Sequence, residues 1–219
     1  MAIRVVSVLA LLLTLGLHAG VATAAAPSAT DELRRHFDQV IATVREPGFK
    51  ALGLEERRAA IRRTSDRLFN WPEISRRAMG PTSWSARTAA ERRAFTEQFA
   101  RIAERAYLVP VVQLRESRVN GSPVRYLGER RDGGDTIVST TLAYLDDLPV
   151  DFRMSRHAGR WEVNDVAVKG VSATENYRAQ LHRLMAHASF HDVLGQLTAK
   201  ASAPATEPGG TPMALASPK

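Results

Sequence analysis

The sequence predicts an α+β fold in which N-terminal and C-terminal helices cover one face of a curved antiparallel sheet. Three observations support this prediction: helical periodicity before residue 110, four short strand patterns between residues 124 and 168, and helical periodicity again from residue 173. Strands joined by such short turns must pair antiparallel. Helices, then a meander of strands, then helices again is the order of an α+β domain.

Helices ahead of the sheet are predicted at residues 30–45, 54–69, 71–79 and 88–109. Asn70 is the expected cap of the third helix, and Pro72 suits its first turn. Thr88 and Glu91 form a capping box at the start of the fourth helix. Pro110 is expected to kink or end that helix, because proline lacks an amide donor and crowds the preceding turn.

Strands are predicted at residues 124–127, 136–144, 150–154 and 161–168. Alternation gives the sheet one apolar face, carrying Val138, Leu142, Val150, Phe152 and Met154. The other face carries Asp151, Arg153 and Ser155. The apolar residues of the fourth strand are Trp161, Val163, Val166 and Val168. Their parity changes halfway, and one extra residue at Asn164 or Asp165, a β-bulge, would keep all four on one face.

A capped helix is predicted directly after this strand. Gly170 permits the turn, and Ser172 with Glu175 forms a capping box. Helices are therefore expected at residues 173–188 and 192–197. Because capping accounts for Ser172, and no second glycine completes a Gly-x-Ser-x-Gly motif, this serine is not expected to be a nucleophile.

No pattern in the sequence indicates catalysis. The chain has no phosphate-binding glycine loop and no cysteine. His187 and His191 are four residues apart, but Ser189 and Phe190 interrupt the helix between them, and no carboxylate or cysteine completes a metal set. We therefore expect surface histidines, no metal site, no cofactor and no enzyme.

The first 24 residues have the features of a secretory signal peptide. Arg4 precedes an apolar run at 5–17, and Ala22 and Ala24 give a small-x-small cleavage site. We expect residues 25–200 to form one exported domain and residues 201–219, which are rich in proline, alanine, glycine and threonine, to form a disordered tail. The formal charge of +7 falls to +6 without Arg4, which favours anionic lipid or an acidic protein face as partner. Export makes nucleic acid an improbable partner.

Apolar residues from one helix and from the sheet are abundant enough to form either a filled core or a lined cavity. The candidates for contact with an apolar ligand are Phe95, Phe99, Ile102, Val138, Leu142, Phe152, Trp161, Val166, Val168 and Val171. Periodicity alone leaves the choice between core and cavity open.

From residue 68 to about 197 the chain resembles the MlaC family, also called toluene-tolerance proteins. The N-terminal part of the resemblance consists of Phe69-Asn70-Trp71-Pro72-Glu73-Ile74, Met79-Gly80, Trp84, Thr88-Ala89-Ala90-Glu91-Arg92 and Phe95 to Phe99. The C-terminal part consists of Val150-Asp151-Phe152-Arg153-Met154, Arg160-Trp161, Asp165-Val166, Gly170-Val171-Ser172 and Asn176-Tyr177-Arg178-Ala179-Gln180. The departures from the family pattern are Asn164, Lys169 and Ala173-Thr174.

The resemblance implies an NTF2-like fold and a periplasmic carrier of phospholipid, which serves an ABC transport system for outer-membrane lipid asymmetry. It implies that acyl chains enter an apolar pocket between sheet and helices, lined by the ten candidates, and that membrane-associated Mla-type complexes are partners. Two alternatives are a hopanoid-related carrier with a polycyclic ligand and a periplasmic adaptor with a filled core.

Overall fold

Seven helices and five strands follow one another within residues 26–116 and 123–202, the part of the chain that this computed structural model describes. At positions 54, 105–116 and 144 only the main chain is described. The helices are α1 (Ala29–Arg45), α2 (Leu54–Ser65), α3 (Trp71–Met79), α4 (Pro81–Ser85), α5 (Ala89–Glu116), α6 (Ala173–Met185) and α7 (Phe190–Ser202). Short 3-10 helices occur at Pro47–Lys50 and Ala143–Leu145. The predicted signal peptide and residues 203–219 of the predicted tail lie outside the described residues.

The strands form one antiparallel meander, which confirms the predicted α+β fold. They are β1 (Val124–Asp132), β2 (Asp135–Leu142), β3 (Leu148–His157), β4 (Arg160–Val168) and β5 (Val171–Ser172), and they lie side by side in chain order. The two-residue β5 was not predicted. It pairs with β4 through a tight turn at Lys169 and Gly170, whose φ angles are 50° and 78°. A strand of two residues is too short to show the alternation by which strands are predicted.

The predicted bulge in β4 is confirmed. Met154 pairs with Val163 and Arg153 pairs with Asp165, so Asn164 is the extra residue. Because of this insertion Val163 and Val166 are both buried in the same apolar cluster. The insertion also leaves Asn164 on the polar side of the sheet, where its amide donates to Ser155 Oγ at 3.0 Å.

Helix α1 packs on the apolar face of the sheet. Its Leu33 is fully buried there, and Phe37 meets Phe152 edge to face at 5.6 Å between ring centroids. We call this cluster the sheet core; its buried members are Ala29, Leu33, Leu68, Val124, Val138, Leu142, Val150, Phe152, Met154, Val163 and Val166.

A second cluster, which we call the helical core, joins α3, α5, α6 and α7. Its buried members are Ile74, Ala78, Met79, Phe95, Phe99, Ile102, Tyr177, Leu181, Leu184, Val193 and Leu197. Helices α3 and α6 both contact β4, so the helical core adjoins the sheet at this strand. Phe69 packs against both clusters.

Helix α2 ends at Ser65, four residues before the predicted end, because residues 68–70 bond to the sheet instead of continuing the helix. The Val163 amide donates to Leu68 O at 2.7 Å, and the Asn70 amide donates to Val163 O at 2.9 Å. This parallel bridge between Phe69 and Val163 draws the start of α3 onto β4. Asn70 caps α3 as predicted, since its Oδ1 accepts from the Glu73 amide at 3.0 Å.

The remaining differences concern the ends of helices and strands. Strand β1 continues to Asp132 and β3 to His157, whereas β2 ends at Leu142 and α6 at Met185. The capping box of Thr88 and Glu91 at the start of α5 is confirmed, with bonds of 2.7 and 3.2 Å. Helix α5 does not end at Pro110 but continues to Glu116. The short helix α4 was not predicted, and α7 reaches Ser202, two residues into the predicted tail.

The polar side of the sheet is organised around the Asp135 carboxylate. Its oxygens accept from Arg77 of α3 at 3.1 Å, from Arg153 at 3.2 Å and from the Asn164 amide at 3.2 Å. Burial on its own would raise the pKa of Asp135, but the hydrogen bonds from these three donors outweigh it, so the pKa is lowered from its ordinary value. The carboxylate thus ties α3 to three strands.

We expect Asp135→Asn to destabilise the protein by about 1–3 kcal/mol at pH 7, because it removes the charge that pairs with both arginines. The pKa of Asp135 is lower in the folded protein than in the unfolded chain. Its stabilising contribution is therefore complete above the unfolded pKa and is lost as pH falls through the folded pKa. Urea unfolding at several pH values measures it. The difference in unfolding free energy between wild type and Asp135→Asn should disappear in acid. Asp151→Asn, on the same sheet face, should show a smaller difference at pH 7. An equal gap for the two variants would contradict the role of Asp135.

Candidate functional site

A cavity lies where the sheet core meets the helical core. Its volume is about 310 Å³, counting the part that opens to solvent. The residues that line it are Phe69, Trp71, Ile74, Phe99, Ala103, Asp165, Val166, Ala173, Thr174 and Tyr177. They come from the segment before α3, from α3 itself, and from α5, β4 and α6.

Aromatic rings form much of the cavity wall. Phe69 and Trp71 stack at 5.1 Å between ring centroids, and Phe99 meets Tyr177 edge to face at 4.8 Å. Phe99 is held in place from behind by Phe95, one helical turn earlier, at 5.5 Å. Offset and edge-to-face ring pairs of this kind favour fixed side-chain positions. The wall is therefore apolar and built from both cores.

The Asp165 carboxylate fastens the start of α6 to β4 at one side of the cavity. It accepts from the Val166 amide at 2.8 Å, from the Thr174 amide at 3.0 Å and from Ser172 Oγ. Ser172 Oγ in turn accepts from the Glu175 amide at 3.1 Å and so caps α6. The buried carboxylate thus satisfies donors that a helix start leaves unpaired.

The predicted capping box at this helix is confirmed for the serine and wrong for the acid. Ser172 caps α6, but the exposed Glu175 carboxylate, which belongs to the described residues, is not bonded to the main chain of Ser172. Asp165 supplies the carboxylate instead. A local spacing rule finds an acid three residues after the cap, and it misses one that arrives from the neighbouring strand.

Two buried donors in the cavity wall have no hydrogen-bond partner among the described residues: the Tyr177 hydroxyl and the Trp71 indole Nε1. Tyr177 is only 2% exposed. Burial raises the pKa of Tyr177 to about 12, so its hydroxyl keeps its proton at neutral pH. Unpaired buried donors are uncommon, and each requires an explanation.

Nine of the ten predicted ligand-contacting residues belong to one of the two cores or pack against it. Phe99 and Val166 line the cavity. Phe95 and Ile102 are buried in the helical core, and Val138, Leu142 and Phe152 are buried in the sheet core. Half-buried against the sheet core are Trp161 and Val168. Val171 lies in β5 and is 56% exposed, outside both cores.

Eight residues of the cavity wall were not among the predicted ones. A partial signal exists in the sequence, since Trp71 and Ile74 are three apart on α3 and Thr174 and Tyr177 are three apart on α6. These spacings indicate buried helix faces without indicating what the faces meet. The meeting of α3 with β4 depends on the bridge at Phe69, which joins residues distant in sequence.

Within the described residues, no three histidine, cysteine, aspartate or glutamate side chains converge on a point that a metal ion would fill. His187 is exposed in the turn between α6 and α7, and His191 is exposed in the first turn of α7. In the same part of the chain no helix has the length and apolar character needed to cross a bilayer.

Comparison with known proteins identifies one family. The family model described as "MlaC protein" matches residues 34–199 of this chain. Among solved structures, the chain is similar to a phospholipid-binding protein from Ralstonia solanacearum, whose structure holds a phospholipid; the two share 18% identity with a TM-score of 0.67 over 80% of this chain and 98% of that one. At this identity the likeness concerns the fold. A search of the curated proteins gives no match.

We expect Asp165→Asn to cost about 1–3 kcal/mol of unfolding free energy, because an amide cannot accept from three donors as the carboxylate does. The matched variant Glu175→Gln, which makes the same chemical change on the exposed first turn of α6, should cost less than about 0.5 kcal/mol. Urea unfolding compares the two, and amide exchange in the first turn of α6 locates the effect. Equal costs would show that the Asp165 bonds do not secure this helix.

Proposed function

This chain belongs to the MlaC family, and we propose that it is a non-enzymatic, periplasmic carrier of phospholipid. In this proposal the protein shuttles lipid between inner- and outer-membrane components of an ABC transport system. It holds the acyl chains between sheet and helices and leaves the headgroup outside.

The observation that carries the proposal is the position of the cavity. It lies between two separately packed apolar cores and is walled by aromatic rings of the helical core, by Phe69 and by Val166 of the sheet core. The Ralstonia protein, which has the same fold, holds a phospholipid. A space between two apolar layers suits alkyl chains, because such chains require no hydrogen bonds of their own.

Burial of the chains supplies enough free energy to hold a lipid. Each buried methylene contributes about 0.8 kcal/mol, so two chains of roughly 16 carbons give a gross term above about 20 kcal/mol before ordering costs are subtracted. Headgroup contacts are then not required for affinity. A carrier of this kind discriminates poorly between headgroups.

The cavity must widen to hold a whole phospholipid. A methylene fills about as much space as a water molecule in the liquid, roughly 30 Å³, so two chains of about 16 carbons need roughly 1,000 Å³. The cavity offers at most about a third of that volume, and part of this space is open to solvent. Because the contacts between the two cores are largely apolar and therefore non-directional, the middle of the cavity wall can widen during loading, while the Asp135 and Asp165 hydrogen bonds keep α3 and α6 attached to the sheet.

The small volume also favours a second candidate, a periplasmic adaptor whose core stays filled and which only docks proteins. The two candidates differ in what the purified protein carries. A carrier retains lipid and takes up more when emptied, whereas an adaptor does neither.

We expect lipid extracted from natively purified full-length protein to contain two-chain phospholipid at close to one molecule per protein, detected by mass spectrometry. Delipidated protein should take up phospholipid from vesicles again. The control is an unrelated exported protein prepared in the same way. Protein that carries no lipid and fails to take it up would favour the adaptor and end the carrier proposal.

We expect Ala173→Leu to reduce lipid uptake from vesicles at least about tenfold, because it fills cavity volume next to Val166 at a packing cost of about 1–3 kcal/mol. Ala179→Leu makes the same change on the exposed side of α6 and should leave uptake unchanged. Circular dichroism and the urea midpoint establish that both variants fold. Equal uptake by folded Ala173→Leu would place the lipid elsewhere.

A further inference from the structure

The cavity wall presents hydrogen-bond donors that no described protein group accepts. Tyr177 and Trp71 both line the cavity, and the hydroxyl of the first and the indole N–H of the second are buried and unpaired. Native proteins rarely leave such groups without a partner, because desolvating a donor without replacing its hydrogen bond costs free energy. Both donors belong to residues of the same wall, so a ligand in the cavity is the candidate partner of each.

The missing partner must be an acceptor. An indole N–H can only donate a hydrogen bond, and a tyrosine hydroxyl that keeps its proton can donate one as well. Phe69 stacks on Trp71, and Phe99 packs edge to face on Tyr177, so each donor is held beside an apolar surface. This pairing of donor and apolar surface suits a ligand that has an acceptor at the end of an alkyl chain.

The charge of the wall indicates that this acceptor is neutral. The Asp165 carboxylate also lines the cavity, and its three hydrogen bonds all come from donors of the protein. A phosphate or fatty-acid carboxylate brought beside it would be repelled in a poorly hydrated space. An ester carbonyl accepts two hydrogen bonds and carries no charge.

We propose that Tyr177 and Trp71 donate hydrogen bonds to an ester carbonyl of the bound lipid, so that the cavity selects ester-linked over ether-linked chains. The inference rests on the proposed function, since it assigns a ligand group to the same site. It makes these two residues specificity determinants: the acyl chains provide affinity, and the carbonyl fixes how far the glycerol end enters.

The test compares a phosphatidylglycerol that has palmitoyl chains with its diether analogue of the same headgroup and chain length. Full-length wild-type protein should bind the diester about tenfold more tightly, because the ether oxygens are poor replacements for the carbonyl acceptor. Tyr177→Phe keeps the ring and removes the hydroxyl, so it should lose most of this preference while its affinity for the diether stays within about twofold. Tyr126→Phe, a tyrosine of β1 outside the cavity wall, is the matched control and should keep the preference.

A second measurement on the wild-type protein does not depend on any variant. Lipid with a carbon-13 label in the ester carbonyl should show a carbonyl stretch at lower frequency in the complex than in a dry apolar solvent, as hydrogen bonding requires. Equal affinity of wild type for diester and diether would overturn the inference and leave the carrier proposal standing. A uniform loss for both lipids in Tyr177→Phe would also overturn it, because that pattern reports a purely structural role. Failure of wild type to bind either lipid would overturn the carrier proposal together with the inference.

Discussion

One extra residue in β4 decides how the rest of the molecule is arranged. With Asn164 inserted, Val163 and Val166 face the same apolar core although three positions separate them. The bulge places the Asn164 amide on the opposite side of the sheet, where it donates to the Asp135 carboxylate. It also brings Asp165 to the side of the strand where α6 begins. Without the insertion, every residue after it would turn to the other face, because side chains alternate along a strand.

The molecule has two apolar cores with a joint between them. Each core is packed by its own ring and aliphatic contacts, such as Phe37 on Phe152 in the sheet core and Phe99 on Tyr177 in the helical core. The two cores meet at β4, and Phe69 belongs to both. Under the carrier proposal, this division would let a ligand enter between the cores while each keeps most of its own packing. A single continuous core would have to lose contacts throughout to make the same room.

Polar groups hold the edges of this joint. The Asp135 carboxylate binds Arg77 and so attaches α3 to the sheet, and the Asp165 carboxylate binds the Thr174 amide and so attaches α6 to β4. Both carboxylates accept from three donors, so the anchoring is directional where the apolar contacts between the cores are not. The elements on either side of the cavity are therefore fixed at their ends and separable in between. The unpaired donors of Tyr177 and Trp71 belong to residues that line the cavity between these anchors.

The sequence by itself determined the order and type of the longer helices and of strands β1 to β4, but not α4 or β5. It also determined the bulge at Asn164-Asp165, the caps Asn70, Thr88 and Ser172, and the apolar face of the sheet. These features follow from periodicity and capping chemistry, which depend only on residues close together in the sequence. It named ten apolar residues, of which two line the cavity, because a buried side chain has the same pattern whether it meets protein or ligand. Only the tertiary structure decided that Phe69 pairs with β4 and that Asp165 caps α6. Those contacts join residues distant along the chain, and no local spacing specifies them.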